Sequence, residues 1–232
     1  MASATSDPLV FPRVGRVRGA AARSSTWWGR AWVRSFEETV VAAADLTTAR
    51  ALARSGRLGA VMVLSGMSSV VVDRGGPTSV MAQLRLARLD EDAWQVFAEE
   101  LGREAGFAAA LESGELPTEL VEHADQAGVE VLPGPADFET ACECDAWAQP
   151  CVHALSLLYQ LAWHIDGDPY ALLLLRGRTR EQLLDQPVPD LPSGDAADRA
   201  AEILRLARDA PRGHGLADSA VAAYDEEISR LL

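Results

Sequence analysis

Three short runs between Arg57 and Leu89 decide how this chain folds: RLGAVMVLSG (57–66), SSVVVDRGG (68–76) and TSVMAQLRLARL (78–89). Each is rich in β-branched or long apolar side chains and is bounded by Gly, Ser or Pro, the residues of tight turns. Runs this short and this close together predict an antiparallel meander. Upstream, TWWGRAWVRSFEETVVAAA from Thr26 sets Trp28, Trp32, Phe36 and Val40 four apart, the apolar stripe of an amphipathic helix. Downstream, LDEDAWQVFAEELGREAGF opens on acids and puts Trp94, Phe97 and Leu101 on one face, which predicts a helix packed on the sheet. ESGELPTELVEHADQAG predicts a shorter helix ended by Gly128. The fold class expected is α+β, a small antiparallel sheet packed with helices.

Length and charge narrow the function. The chain has 232 residues, 48% of them hydrophobic, enough for one substantial core or a core plus a small module. No stretch approaches the ~20 apolar residues that span a bilayer, and the first residues lack a continuous apolar secretion segment, so a cytoplasmic location is expected. The net charge of −13 is unevenly spread: residues 1–88 carry 12 Arg against 5 acids, residues 89–232 carry 9 Arg against 29. A pI near 4.7 argues against a protein that coats nucleic acid, although the basic front could still touch phosphates.

All three cysteines fall within ten positions, in ACECDAWAQPCVHA (141–154). Cys142 and Cys144, two apart, can face one centre from a tight knuckle after a strand; Cys151 and His153 stand at the entrance of a helix. That helix is marked by Ala154, Leu157, Leu158, Leu161, Ala162 and Ile165 on one face. Zinc takes thiolates and imidazoles in tetrahedral sets, and four protein ligands close the coordination sphere, the mark of a structural site. Trp147 and Pro150 in the intervening loop are expected to shape it and cover the metal. Packing of three cysteines as small hydrophobes, or a Cys/His nucleophile pair, are the weaker readings, since neither needs four ligand-type residues at this spacing.

The pattern Cys-x-Cys, six residues, Cys-x-His resembles the SWIM-type zinc finger, and its surroundings resemble bacterial SWIM zinc finger proteins. TWWGRAW, LESGELP and DGDPYALLLLRGRTREQLL carry that resemblance over roughly residues 24–186. It implies that Cys142, Cys144, Cys151 and His153 hold one Zn2+ in an embedded ββα-like finger. It also implies an adapter rather than an enzyme, mediating protein–protein interaction with a partner such as a Swi/Snf-type helicase-like ATPase. Direct DNA binding is the alternative. Val152 stands where the resemblance leads one to expect a basic residue, and Glu139, Glu143 and Asp145 flank the finger. Any DNA contact is therefore expected from Arg13, Arg16, Arg18, Arg23, Arg30 and Arg34 at the basic N-terminus. The expected divisions are a flexible basic arm (1–25), an α+β domain (26–135), the finger with its following helices (136–186), and a linker with a helical C-terminal tail (187–232).

Other residues take plainer readings. Trp28 and Trp32 belong to a core by their spacing, with Arg23, Arg30 and Arg34 facing water. RGRTR (176–180) is a basic island expected at a solvated helix junction. GDPYALLLLRG and TREQLLDQ predict two short helices, the second with Thr179 and Gln182 in capping-box spacing. His123, His164 and His214 have no carboxylate or cysteine partner at a useful spacing and read as ordinary surface or satisfied histidines. Two amphipathic segments, about 195–209 and 218–231, close the chain. No phosphate loop, dinucleotide fingerprint or serine elbow is present.

Overall fold

The computed structural model describes residues 8–18, 24–75 and 77–184. The tail of 187–232, its two amphipathic segments, His214 and Arg23 lie outside the described residues. The described elements run β1 (Leu9–Phe11), α1 (Trp27–Glu37), α2 (Ala43–Ala53), β2 (Val61–Leu64), β3 (Met67–Gly75), β4 (Thr78–Leu86), α3 (Glu91–Arg103), α4 (Ala105–Glu112), α5 (Thr118–Gln126), β5 (Phe138–Cys142), α6 (Val152–Gly167), α7 (Pro169–Arg176) and α8 (Arg180–Leu184). The expected α+β class holds, with all five strands antiparallel in the order β1-β2-β3-β4-β5.

The sheet is built by alternation. Val61, Val63, Val70, Val72, Val80, Ala82, Leu84 and Leu86 are buried, while Met62, Val71 and Met81 between them are exposed. One face therefore meets the helices and the other meets water. Gly66 turns β2 into β3 at φ +74°, and Gly75 turns β3 into β4 at φ +90°, a left-handed backbone that side chains with a Cβ resist. The register shifts between Asp73 and Gly75, where the Asp73 carboxylate accepts the Gly75 N–H at 2.7 Å.

Across the inner face lies α6, buried on almost every side from Ala154 to Ala162. The sequence predicts one apolar face for this helix; burial is wider because α1 and α2 flank it and the sheet lies beneath. Two of its polar side chains find backbone partners in place: Gln160 Nε2 donates to the Ala53 carbonyl at 2.9 Å and Ser156 Oγ to the His153 carbonyl at 2.7 Å. Trp28 and Trp32 are core residues, as their spacing predicts, and their indoles donate to α6 carbonyls, Trp28 to Ile165 at 2.9 Å and Trp32 to Leu158 at 3.1 Å. Arg30 and Arg34 face water. The inner sheet face taken by α6 is the one expected for α3, which packs mainly on α4 and α5.

Three further differences have physical causes. The helix expected from Thr26 to about Ala44 breaks after Glu37, where Thr39 N–H and Val40 N–H close short turns on the Phe36 and Glu37 carbonyls at 3.1 and 3.2 Å. The β-branched run Thr39-Val40-Val41 favours that break over another helical turn. The helix beyond it, α2, shows little stripe because its buried residues are Ala49 and Ala53, small enough for the close approach to α6. The arm of 1–25 contains a strand: β1 pairs with β2 in the register Val10↔Met62, and Phe11 stacks on His164 with centroids 4.0 Å apart. Burial holds His164 down at about 4, so the stacked ring is neutral. β5 is the fifth strand of the same sheet and α6 its central helix, so the residues on either side of 135/136 share one core.

At the start of α1, Thr26 Oγ1 accepts the Gly29 N–H at 3.0 Å, while the Asp166 carboxylate, from the end of α6, accepts the Ser25 N–H at 2.6 Å and the Thr26 hydroxyl. A Cβ on Gly29 would stand 1.8 Å from Asp166 Oδ1. Gly to Ala inside a helix ordinarily stabilises by up to about 1 kcal/mol. Here Gly29→Ala is expected to have the opposite sign, costing about 1–3 kcal/mol, because it evicts the carboxylate from its capping position. Urea denaturation checks this, together with the double variant Gly29→Ala/Asp166→Ala, in which most of the extra loss should vanish.

Candidate metal centre

The four ligand-type residues come from the two ends of adjoining elements. Cys142 is the last residue of β5, opposite Ala82 of β4. The knuckle after it is clamped to β4 in both directions: Glu143 N–H donates to the Met81 carbonyl at 3.1 Å, and the Glu143 carboxylate accepts the Met81 N–H at 2.9 Å. That clamp turns the chain so that Cys144 returns toward Cys142. Cys151 is the N-cap of α6, its Sγ accepting the Ala154 N–H at 3.5 Å, and His153 follows in the first turn. The ligand atoms of Cys142, Cys144, Cys151 and His153 all lie within 4.8 Å of one another. These residues thus form a Cys3His group that could hold a metal ion, as their spacing predicts.

The electrostatics of the group suit a cation. Burial pushes the Cys142 thiol up to about 12, offset in part by the Cys144 N–H. Burial also raises Cys151, against the pull of the Ala154 N–H at the helix start. Cys144 is pushed up by burial as well, but the Ala146 N–H, the Cys151 and Cys142 thiols and the charge of Arg74 together bring it below the ordinary thiol value. Three sulfurs crowded together in this way share hydrogen bonds, and they can ionise together only beside a positive charge. His153 is lowered by burial, then by Arg74 and Arg57, so its ring is neutral and has a lone pair to give. Its Nδ1 is buried and has no hydrogen-bond partner among the described residues. An orphaned buried imidazole nitrogen beside three thiols fits a metal site and is costly without one.

Trp147 does not cover the cluster. It stands at the tip of the loop between the two ligand pairs and is 99% exposed, since the clamp at Glu143 and the cap at Cys151 hold both loop ends close to the sheet edge and leave the middle pointing outward. Pro150 is half-buried just before Cys151. Glu139, Glu143 and Asp145 are exposed around the knuckle. Arg57 and Arg74, whose charges reach His153, are neighbours that the sequence does not mark, being brought there from the loop between α2 and β2 and from the end of β3.

The basic island of 176–180 is split by the fold. Arg176 is buried, donating to the Ala87 carbonyl at 2.5 Å, the Glu130 carbonyl at 2.7 Å and Asp137 Oδ2 at 3.2 Å. Arg178 pairs with Glu91, and Arg180 lies over the Tyr170 ring at 4.8 Å. The Thr179 and Gln182 capping box forms, each side chain meeting the other residue's backbone N–H, at 2.9 and 3.2 Å. His123 of α5 lies 3.9 Å from the buried Glu100 carboxylate of α3.

The chain is 29% identical over 191 residues to the uncharacterized protein Rv2102 of Mycobacterium tuberculosis, a match that covers 81% of this chain and 68% of that protein. No family model and no solved structure matches the chain. Among the described residues no helix is long and apolar enough to cross a membrane.

Proposed function

We propose that Cys142, Cys144, Cys151 and His153 bind one structural zinc ion in a SWIM-type finger, and that the protein is a binding adapter rather than an enzyme. The observation that carries the reading is the convergence of three thiols and one imidazole within 4.8 Å from the end of β5 and the start of α6. Zinc bound there would tie strand to helix, and with four protein ligands it would keep no open position for a substrate. The exposed Trp147 supports a protein partner, because a large aromatic side chain left in water on a pinned loop is the kind of residue that anchors interfaces. The resemblance to SWIM proteins points to a Swi/Snf-type helicase-like ATPase as that partner. Direct DNA contact is the lesser reading: Arg16, Arg18 and Arg34 are exposed, whereas Arg13 is spent on the Gly56 carbonyl and acids surround the finger.

The test pairs native mass spectrometry with binding to the purified helicase-like ATPase of the same host. One zinc per chain is expected. Trp147→Ala should weaken the complex at least about tenfold, as interface anchors do, yet change the melting temperature little, since an exposed side chain stabilises nothing. A metal-free chain with three titratable thiols would remove the zinc reading. A complex indifferent to Trp147→Ala would remove the knuckle as its contact surface.

A further inference from the structure

Helices α1, α2 and α6 enclose a groove of about 560 Å³ that the metal centre does not use. α1 lines it with Arg30 and Glu37, and α2 lines it with Arg50 and Arg54, residues that recur on one face of each helix; Tyr159 and Trp163 of α6 form its floor. The charges do not cancel. Glu37 Oε1 accepts from Arg50 at 2.5 Å and from the Tyr159 hydroxyl at 2.5 Å, so the one carboxylate is matched by one guanidinium. Tyr159 stays protonated, because burial and its bond to Glu37 both raise its pKa.

Arg30 spends one nitrogen on the Ser25 carbonyl at 2.6 Å and Arg54 its Nε on the Arg50 carbonyl at 3.1 Å. Neither meets a carboxylate among the described residues. The groove thus holds two uncompensated guanidiniums in a chain whose net charge is −13. At its wall the buried Ser24 hydroxyl makes no hydrogen bond among the described residues.

We propose that this groove binds a phosphoryl group, carried by a small organic molecule or by a nucleic-acid strand. Guanidinium forks match phosphate oxygens in pairs, and a phosphomonoester dianion, or two successive phosphodiesters of a strand, neutralises both free charges where a monocarboxylate would leave one. The Ser24 hydroxyl supplies a further donor. The volume lies within the range of small-molecule sites and exceeds what a phosphate ion fills, and the indole of Trp163 offers an apolar surface for the rest of the ligand. Nothing in this assignment depends on the zinc centre.

Calorimetric titration of the full chain tests it, with adenosine monophosphate in one arm and a short single-stranded DNA in the other. Salt-sensitive binding is expected in at least one arm. The tighter arm identifies the source of the phosphate. Arg30→Gln and Arg54→Gln should each weaken it about tenfold or more, roughly the worth of one charge-assisted hydrogen bond. Arg85→Gln, an exposed charge on β4 that does not line the groove, should leave it unchanged. Absence of binding in both arms overturns the proposal, as does an Arg85→Gln effect as large as that of the groove variants.

Discussion

Cys151→Ala is expected to abolish metal binding and to lower the melting temperature by roughly 10 °C in one cooperative transition. A ligand present at a thousandfold excess over its Kd stabilises by about 4 kcal/mol, and each kcal/mol is worth about 2–4 °C in a chain of this size. Loss of the thiol also uncaps α6, whose first turn uses Sγ as acceptor for the Ala154 N–H. The decisive feature is cooperativity. A finger that was a separate module would melt alone, and the surrounding domain would keep its own transition. Here β5 is hydrogen-bonded to β4, and α6 is the helix on which α1, α2 and the sheet all pack. Destabilising their junction must therefore be felt by the whole core. Circular dichroism and tryptophan fluorescence followed through the melt should give coincident curves, displaced together from the wild type, and Cys144→Ala, which removes a ligand without touching the cap, should behave alike. Two separated transitions in either variant would restore the modular finger.

Arg176→Met is expected to cost about 3–5 kcal/mol, the range for removing one member of a buried charge pair. Its guanidinium is the only donor reaching the Ala87 and Glu130 carbonyls among the side-chain hydrogen bonds of the described residues, and it also pairs with Asp137 at 3.2 Å. Those three partners lie just after β4, before the Pro135–Asp137 turn, and at the end of that turn, where it enters β5. One side chain thus fixes where β5 enters the sheet, and β5 carries Cys142. Burial lowers the Arg176 pKa, and Asp137 partly restores it, so the charge is present at a desolvation cost that its partners repay. Arg178→Met is the comparison. Its partner Glu91 is 83% exposed, and a pair of that kind contributes at most about 1 kcal/mol. Urea midpoints of the two variants should therefore differ severalfold in their displacement from the wild type, and similar displacements would contradict the structural role of Arg176.

The contrast between Arg176 and Arg178 shows where sequence reading stops. Both stand in RGRTR, with the same side chain and nearly the same neighbours, and only the packing of α7 against the segments around β5 decides which is buried. The same holds for Trp147. A tryptophan among metal ligands reads as a cover, yet the hydrogen bonds that pin both ends of its loop leave it in water. α2 leaves little mark in the sequence because its inner face is alanine, which packs closely but gives little periodic signal. β1 is three residues long and gains its order from β2 and from the His164 ring.

What the sequence determined by itself is local: the alternation of valines in the meander, the four-residue spacing of Trp28, Trp32 and Phe36, the Gly128 stop, the Thr179 cap and the spacing of the four ligands. These follow from strand and helix periods and from the reach of neighbouring side chains, and such properties act over a few residues. The tertiary structure alone decided that β5, which carries Cys142, completes the sheet, that α6 is the centre of the core, and that Arg30, Arg50 and Arg54 face one groove. Burial and charge compensation depend on every element that closes around a residue, and those elements come from 20 to more than 100 positions away, as the Arg30 to Arg50 spacing and the 107-residue span of the Gln160–Ala53 bond show.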